Sequence, residues 1–160
     1  MLTTQRLTIR PWEIDDAESF LSLTKDSGFM AYLITDYRQK DIHSAETWIR
    51  TQKGKYGVLP KEFGEVIGMG GLTPWSLEEE QLVDITYRLK ESAWGKGYGW
   101  ELAKALRDYG FETLHLPQIT ATITPDNVPS KKIAEKLGLR FDRQIFLHGV
   151  LTDLFRLYRS

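Results

Sequence analysis

The sequence predicts an α+β fold: a mixed, mostly antiparallel sheet of about seven strands accompanied by about four helices. Short runs in which apolar and polar residues alternate supply the strands, and segments with apolar residues at helical spacing supply the helices. A glycine-rich junction, Trp94-Gly95-Lys96-Gly97-Tyr98-Gly99, lies between one of each. At 160 residues the chain can bury one sizeable core and is too short to favour two, so residues 1–160 are read as a single domain.

Leu7 and Ile9 alternate with Arg6, Thr8 and Arg10 ahead of Pro11, the pattern of a short strand with one buried face. Asp15 with Glu18 three residues on reads as a capping box, after which Ala17, Phe20, Leu21 and Thr24 share a helical face as far as Gly28. Ser44 is placed to cap a second helix, with Ala45, Trp48 and Ile49 inward and Gly54 as its stop. Residues 56–59 and 65–72, parted by Pro60 and Gly64, read as neighbouring antiparallel strands, the cluster Gly68, Gly70 and Gly71 marking a bulge. SLEEEQ at 76–81 reads as a solvated turn without function.

Residues 82–89 form the best-defined strand, the fourth, with Val83, Ile85, Tyr87 and Leu89 on one side. The glycine junction then opens a helix over 101–111, packed through Leu102, Ala103, Leu106, Tyr109 and Gly110. QITATIT at 118–124 is strongly β-prone, and Pro125, Asp126 and Asn127 turn the chain into a last helix ending at Gly138. Residues 140–147 and 152–158 close a terminal hairpin around His148 and Gly149.

Lys and Arg number 21 against 22 Asp and Glu, a net charge of −1, which leaves no electrostatic basis for nucleic acid or an anionic membrane as a general partner. The absence of cysteine removes disulfides, thiolate metal sites and a cysteinyl acyl-enzyme, so any acyl transfer is direct. His43, His115 and His148 lie too far apart in sequence to suggest a metal site. The first residues lack the apolar core of a signal peptide and no stretch approaches membrane-spanning length; a cytoplasmic protein is expected.

Glycines at a strand-to-helix turn let backbone N–H groups converge where the helix dipole favours an anion, which makes residues 94–99 either a pyrophosphate cradle or simply a tight turn. The region roughly twenty residues on carries no acidic ribose ligand, and no Gly-Lys-Ser or Gly-Lys-Thr occurs, so neither common nucleotide-binding motif fits.

DITYRLKESAWGKGYGWELAKAL from Asp84 and ITATITPDNVPSKKIAEKLGLRF after it resemble the GCN5-related N-acetyltransferase (GNAT) family, in particular its ribosomal-protein N-terminal acetyltransferase branch (RimJ/RimL type). RLTIRPWEIDDAESF at the start and GEVIGMGGL in the middle resemble the same branch, so the likeness extends over most of the chain. The resemblance implies the GNAT acyl-CoA N-acyltransferase fold, splayed between strands four and five, with acetyl-CoA as co-substrate and its pantetheine arm in the gap. It implies backbone contacts to that arm from Tyr87, Arg88 and Leu89, and a pyrophosphate site formed by Trp94, Gly95, Lys96, Gly97, Tyr98, Gly99 and Trp100. Trp94 stands where the wider family has glutamine or arginine, which removes one charge contact and leaves the backbone cradle.

Asn127 and Ser130 taken alone are a helix cap; the resemblance implies that Asn127 orients the pantetheine or the catalytic region and that Ser130 approaches the coenzyme sulfur. The family's tyrosine acid, seven residues after the asparagine, is here Ala134, which makes Ser130 the substitute. Asp84 is nominated as a base acting through water, against the reading of an ordinary exposed strand carboxylate. Tyr32, Asp36 and Tyr37 are expected to border the acceptor pocket, and His148 either touches the acceptor or lies in a surface turn. The expected activity is acetylation of a primary amine, on a peptide N-terminus, a ribosomal protein or a small molecule. A catalytically silent acyl-CoA-binding domain is the alternative, and a homodimer is left open.

Overall fold

The computed structural model describes residues 1–160. A single sheet contains β1 (Leu2–Thr3), β2 (Leu7–Arg10), β3 (Tyr56–Pro60), β4 (Gly68–Leu77), β5 (Glu80–Leu89), β6 (Gln118–Ile123), β7 (Arg140–Leu147) and β8 (Val150–Tyr158). Their order is β1-β2-β3-β4-β5-β6-β8-β7, antiparallel throughout except between β5 and β6. Four helices cover its faces: α1 (Ala17–Leu23), α2 (Ile42–Thr51), α3 (Tyr98–Asp108) and α4 (Val128–Leu137). The expected inventory is present, with the two-residue edge strand Leu2–Thr3 added, too short for alternation to reveal.

Alternation along the strands deals side chains to two cores. Leu7, Ile9, Val58, Ile85, Leu89 and Ile119 meet Leu102, Ala103 and Leu106 of α3 and Ala134 and Leu137 of α4. On the other face Leu59 and Met69 meet Ala17, Phe20 and Leu23 of α1 and Ala45 and Ile49 of α2. Phe20 and Trp48 stack there with centroids 4.0 Å apart, and Trp12 stands edge-on to both. Such aromatic pairs add about 0.5–1.5 kcal/mol each beyond the area they bury.

Local signals were displaced where side-chain partners decided the outcome. The first capping box joins Glu13 and Asp16 rather than Asp15 and Glu18, because Arg10 grips Asp16 with two bonds of 2.7 and 3.0 Å and turns that acid inward. Asp41, not Ser44, caps α2; Ser44 completes the box from three residues inside. The glycines of β4 form no bulge, since its register against β5 is unbroken from Gly68↔Leu89 to Leu77↔Glu80. They serve close approach instead: a Cβ on Gly71 would lie 1.8 Å from the Gly54 oxygen, and one on Gly70 2.8 Å from Leu102 Cδ1. β4 runs on through Pro74 because β3 stops pairing at Gly70, leaving an edge that tolerates a missing donor. The acidic run 76–81 does turn the chain, but Glu80 also accepts both arms of the buried Arg156 at 2.8 and 2.9 Å, tying β5 to β8.

Candidate active site

β5 and β6 share one registered pair, Asp84↔Thr120. Beyond it the strands part, as expected of strands four and five, and open a cleft of about 720 Å³. Strand alternation makes the cleft two-sided. Ile85, Tyr87 and Leu89 face α3 and α4, whereas Asp84 and Arg88 face the side of α1, α2 and the segment joining them.

The glycine junction forms one wall. Gly95 and Gly97 have φ of 74° and 82°, a left-handed backbone that disfavours other residues, and α3 starts immediately after Gly97, three residues earlier than its spacing indicates. Trp94, Gly95, Gly97, Tyr98, Gly99 and Trp100 line the cleft; Lys96 is exposed and does not. The Lys96 carbonyl instead accepts from Arg6 Nη1 at 2.9 Å, while Glu101 holds Arg6 Nε at 2.8 Å and the guanidinium stacks over Tyr98 at 4.5 Å. Arg6 therefore fastens the turn to the residues before β2, a role that its place in an alternating run gave no sign of. Trp94 is tied back, its indole N–H donating to the Leu89 carbonyl at 3.0 Å.

Backbone groups of the parted strands and the dipole of α3 suit an amide-bearing arm that ends in a pyrophosphate. Thr124 supports that fit: it lines the cleft, and its hydroxyl is buried with no hydrogen-bond partner. Tyr87, Arg88 and Leu89 all line the same passage.

Asn127 and Ser130 meet at the start of α4. Asn127 Oδ1 accepts from the Ser130 N–H at 3.2 Å, so the capping role is real, and both residues also line the cleft. The Tyr87 hydroxyl donates to the Ser130 carbonyl at 3.0 Å and accepts from Ser130 Oγ at 3.2 Å. Burial pushes the Tyr87 phenol up, against the opposing pull of Ser130, so it holds its proton at neutral pH. Its residue type in a strand pattern signalled packing, and only the fold places the phenol on Ser130. Ala134 is fully buried on the inner face of α4 and offers no hydroxyl.

The opposite side is built around Asp84. Thr120 and Thr122 donate to its two carboxylate oxygens, each at 2.9 Å, and Trp75 Nε1 donates to Thr120 Oγ1 at 3.0 Å. Loss of hydration pushes the Asp84 carboxyl up to about 6, against the downward pull of both threonines and of Lys55. It is a held, half-buried carboxylate in the cleft wall rather than an exposed strand residue. Lys55, which its sequence context did not single out, donates from Nζ to Thr73 Oγ1 at 2.8 Å, and Thr73 is the residue opposite Asp84 on β4.

Tyr32, Tyr37 and His148 line the cleft, but Asp36 does not; it pairs with Arg38 in solvent at 2.7 Å. Arg88 donates to the carbonyls of Phe29 and Ala31 and lies by the Tyr37 ring, holding the α1–α2 connection over the opening. His43 and His115 lie elsewhere, and no three His, Asp or Glu side chains gather as metal ligands. No helix is long and apolar enough to cross a membrane.

Residues 6–140 match the acetyltransferase (GNAT) domain family. The chain belongs to this family. The acetyltransferase is 32% identical over 161 residues to the uncharacterized N-acetyltransferase p20 of Bacillus licheniformis, covering 95% of this chain and 85% of that one. The structure of an acetyltransferase from Agrobacterium tumefaciens str. C58 is 27% identical with a TM-score of 0.73, covering 99% of this chain and 94% of its own. RimL, a ribosomal α-N-protein acetyltransferase solved in complex with coenzyme A, shares the fold at a TM-score of 0.77 and 14% identity, with 98% and 96% covered. The ribosomal-protein branch that the sequence resembles is thus represented among proteins of this fold, and acetyl-CoA is the acetyl donor the family uses generally.

Proposed function

We propose that this acetyltransferase transfers the acetyl group of acetyl-CoA by direct attack of a primary amine, either a peptide or protein N-terminal α-amine or a small amine. The observation that carries the reading is the two-sided cleft at the β5–β6 split, with an anion cradle and paired hydroxyls on one side and a held carboxylate on the other. Acetyl-CoA supplies the thioester carbonyl. Asp84, ionised above about pH 6, takes the proton that an incoming ammonium must lose before nitrogen can attack. Backbone N–H groups at the opened edge of β5 serve the oxygen that gains charge. Ser130, whose single hydroxyl proton lies on the Tyr87 oxygen in the free cleft, turns it to the departing thiolate in place of the acid absent at Ala134, and the Tyr87 phenol can then donate to Ser130 Oγ.

The decisive experiment incubates the purified protein with acetyl-CoA and a panel of peptides, polyamines, amino acids and aminoglycosides, and records free thiol release together with thermal stabilisation. Thiol release that depends on one amine class supports the reading. Stabilisation without release above hydrolysis for every amine identifies a silent acyl-CoA binder and overturns it.

A further inference from the structure

We propose that the acceptor is an amino acid, an amine with a carboxylate close by and an apolar side chain, with Lys55 receiving the carboxylate while Asp84 receives the amine. The inference rests on the acetyl-transfer reading above and names the acceptor class for the same site.

Lys55 is half-buried in the cleft wall and forms no ion pair; its hydrogen-bond partner is the neutral hydroxyl of Thr73 at 2.8 Å. An ammonium has three donors, so two remain for a ligand. The other cation at this end, Arg88, is committed to the carbonyls of Phe29 and Ala31. No salt bridge joins Asp84 to Lys55, and the Asp84 carboxylate, held by Thr120 and Thr122 through one bond on each oxygen, keeps lone pairs free for an amine. Burial pulls the Lys55 ammonium down, with Asp84 opposing, and an anion placed beside it would favour the charged form.

Geometry sets the size of the missing partner. Thr73 and Asp84 are directly opposite on β4 and β5, a relation that places Cβ atoms about 5 Å apart on one sheet face. The ammonium above Thr73 and the carboxylate of Asp84 therefore stand in the same cleft, a pair whose signs are the reverse of those that an amino acid presents. A plain amine would bring a second cation beside Lys55 and leave that lysine unpaired. Ile34, Tyr37 and Trp75 supply apolar wall for a side chain.

The test compares kcat/KM, corrected to the neutral amine, for leucine, methionine and phenylalanine with their amides and their decarboxylated amines. The free acids are expected to exceed both analogues by about tenfold or more. Lys55→Met is expected to remove that preference by lowering only the acids, and Lys55→Arg to retain it, with melting temperatures checking the fold of both variants. Equal turnover of acids, amides and amines by the native protein overturns the proposal while leaving acetyl transfer standing. A uniform loss on all three classes in a folded Lys55→Met, or an acetyl group mapped to Lys55 by peptide mass spectrometry, also overturns it. No thiol release from any amine, peptides included, overturns both readings.

Discussion

Asp84 draws its behaviour from three neighbours that sequence spacing does not connect: Thr120, Thr122 and Lys55. Replacing it with Asn is expected to lower kcat/KM by about 10²–10⁴ and to abolish the rise of rate with pH through about 6, as a pH–rate series will show. The same residue has a stability consequence. Its folded value near 6 lies above its ordinary 3.8, so the stability associated with its protonated form is present below pH 4 and lost as pH rises through 6. The advantage of Asp84→Asn over the native protein is therefore expected to grow from pH 4 to pH 6 and to persist above it, measured by denaturant unfolding at pH 4 and pH 8. Tyr87→Phe and Ser130→Ala are each expected to lower kcat about tenfold, as loss of one hydrogen bond to a developing charge would. Because the two hydroxyls share a bond, the double variant should lose less than the product of the single losses in steady-state kinetics.

At the scale of elements, the wall proposed for the coenzyme depends on how a turn is pinned. Gly97, at φ 82°, ends the junction, and Arg6 ties the preceding carbonyl to the residues before β2. Gly97→Ala is expected to cost about 1–2 kcal/mol of stability and to raise the KM for acetyl-CoA without moving that for the amine. Arg6 and the glycines differ in legibility. Glycines at a strand-to-helix turn are visible in the chain, whereas Arg6 acts on a turn some ninety residues distant, and alternation near the N-terminus shows only a strand. The displaced caps have a local cause instead: Arg10 and Asp41, six and three residues from the residues that they bind, decide between neighbouring residues that are each able to cap.

Over the whole molecule, the proposed site would have acetyl-CoA bridge strands, turn and α4, which would link its binding to global stability. At about 100 times the dissociation constant the gain is ~2.7 kcal/mol, which for a chain of this size raises the melting temperature by about 5–10 °C. A thermal-shift titration with acetyl-CoA will read it, and the absence of any shift at saturation would remove the coenzyme site.

Read alone, the sequence determined the α+β inventory, the strand order of events along the chain, the glycine junction and the Asn127–Ser130 pair, because periodicity, glycine and capping are properties of local stretches. Tertiary structure alone decided that Tyr87 meets Ser130, that Lys55 stands over Thr73 opposite Asp84, and that burial pushes the Asp84 carboxyl up. Those facts depend on which strands become neighbours and where the sheet parts, and a desolvated charge is set by surroundings drawn from distant segments of the chain.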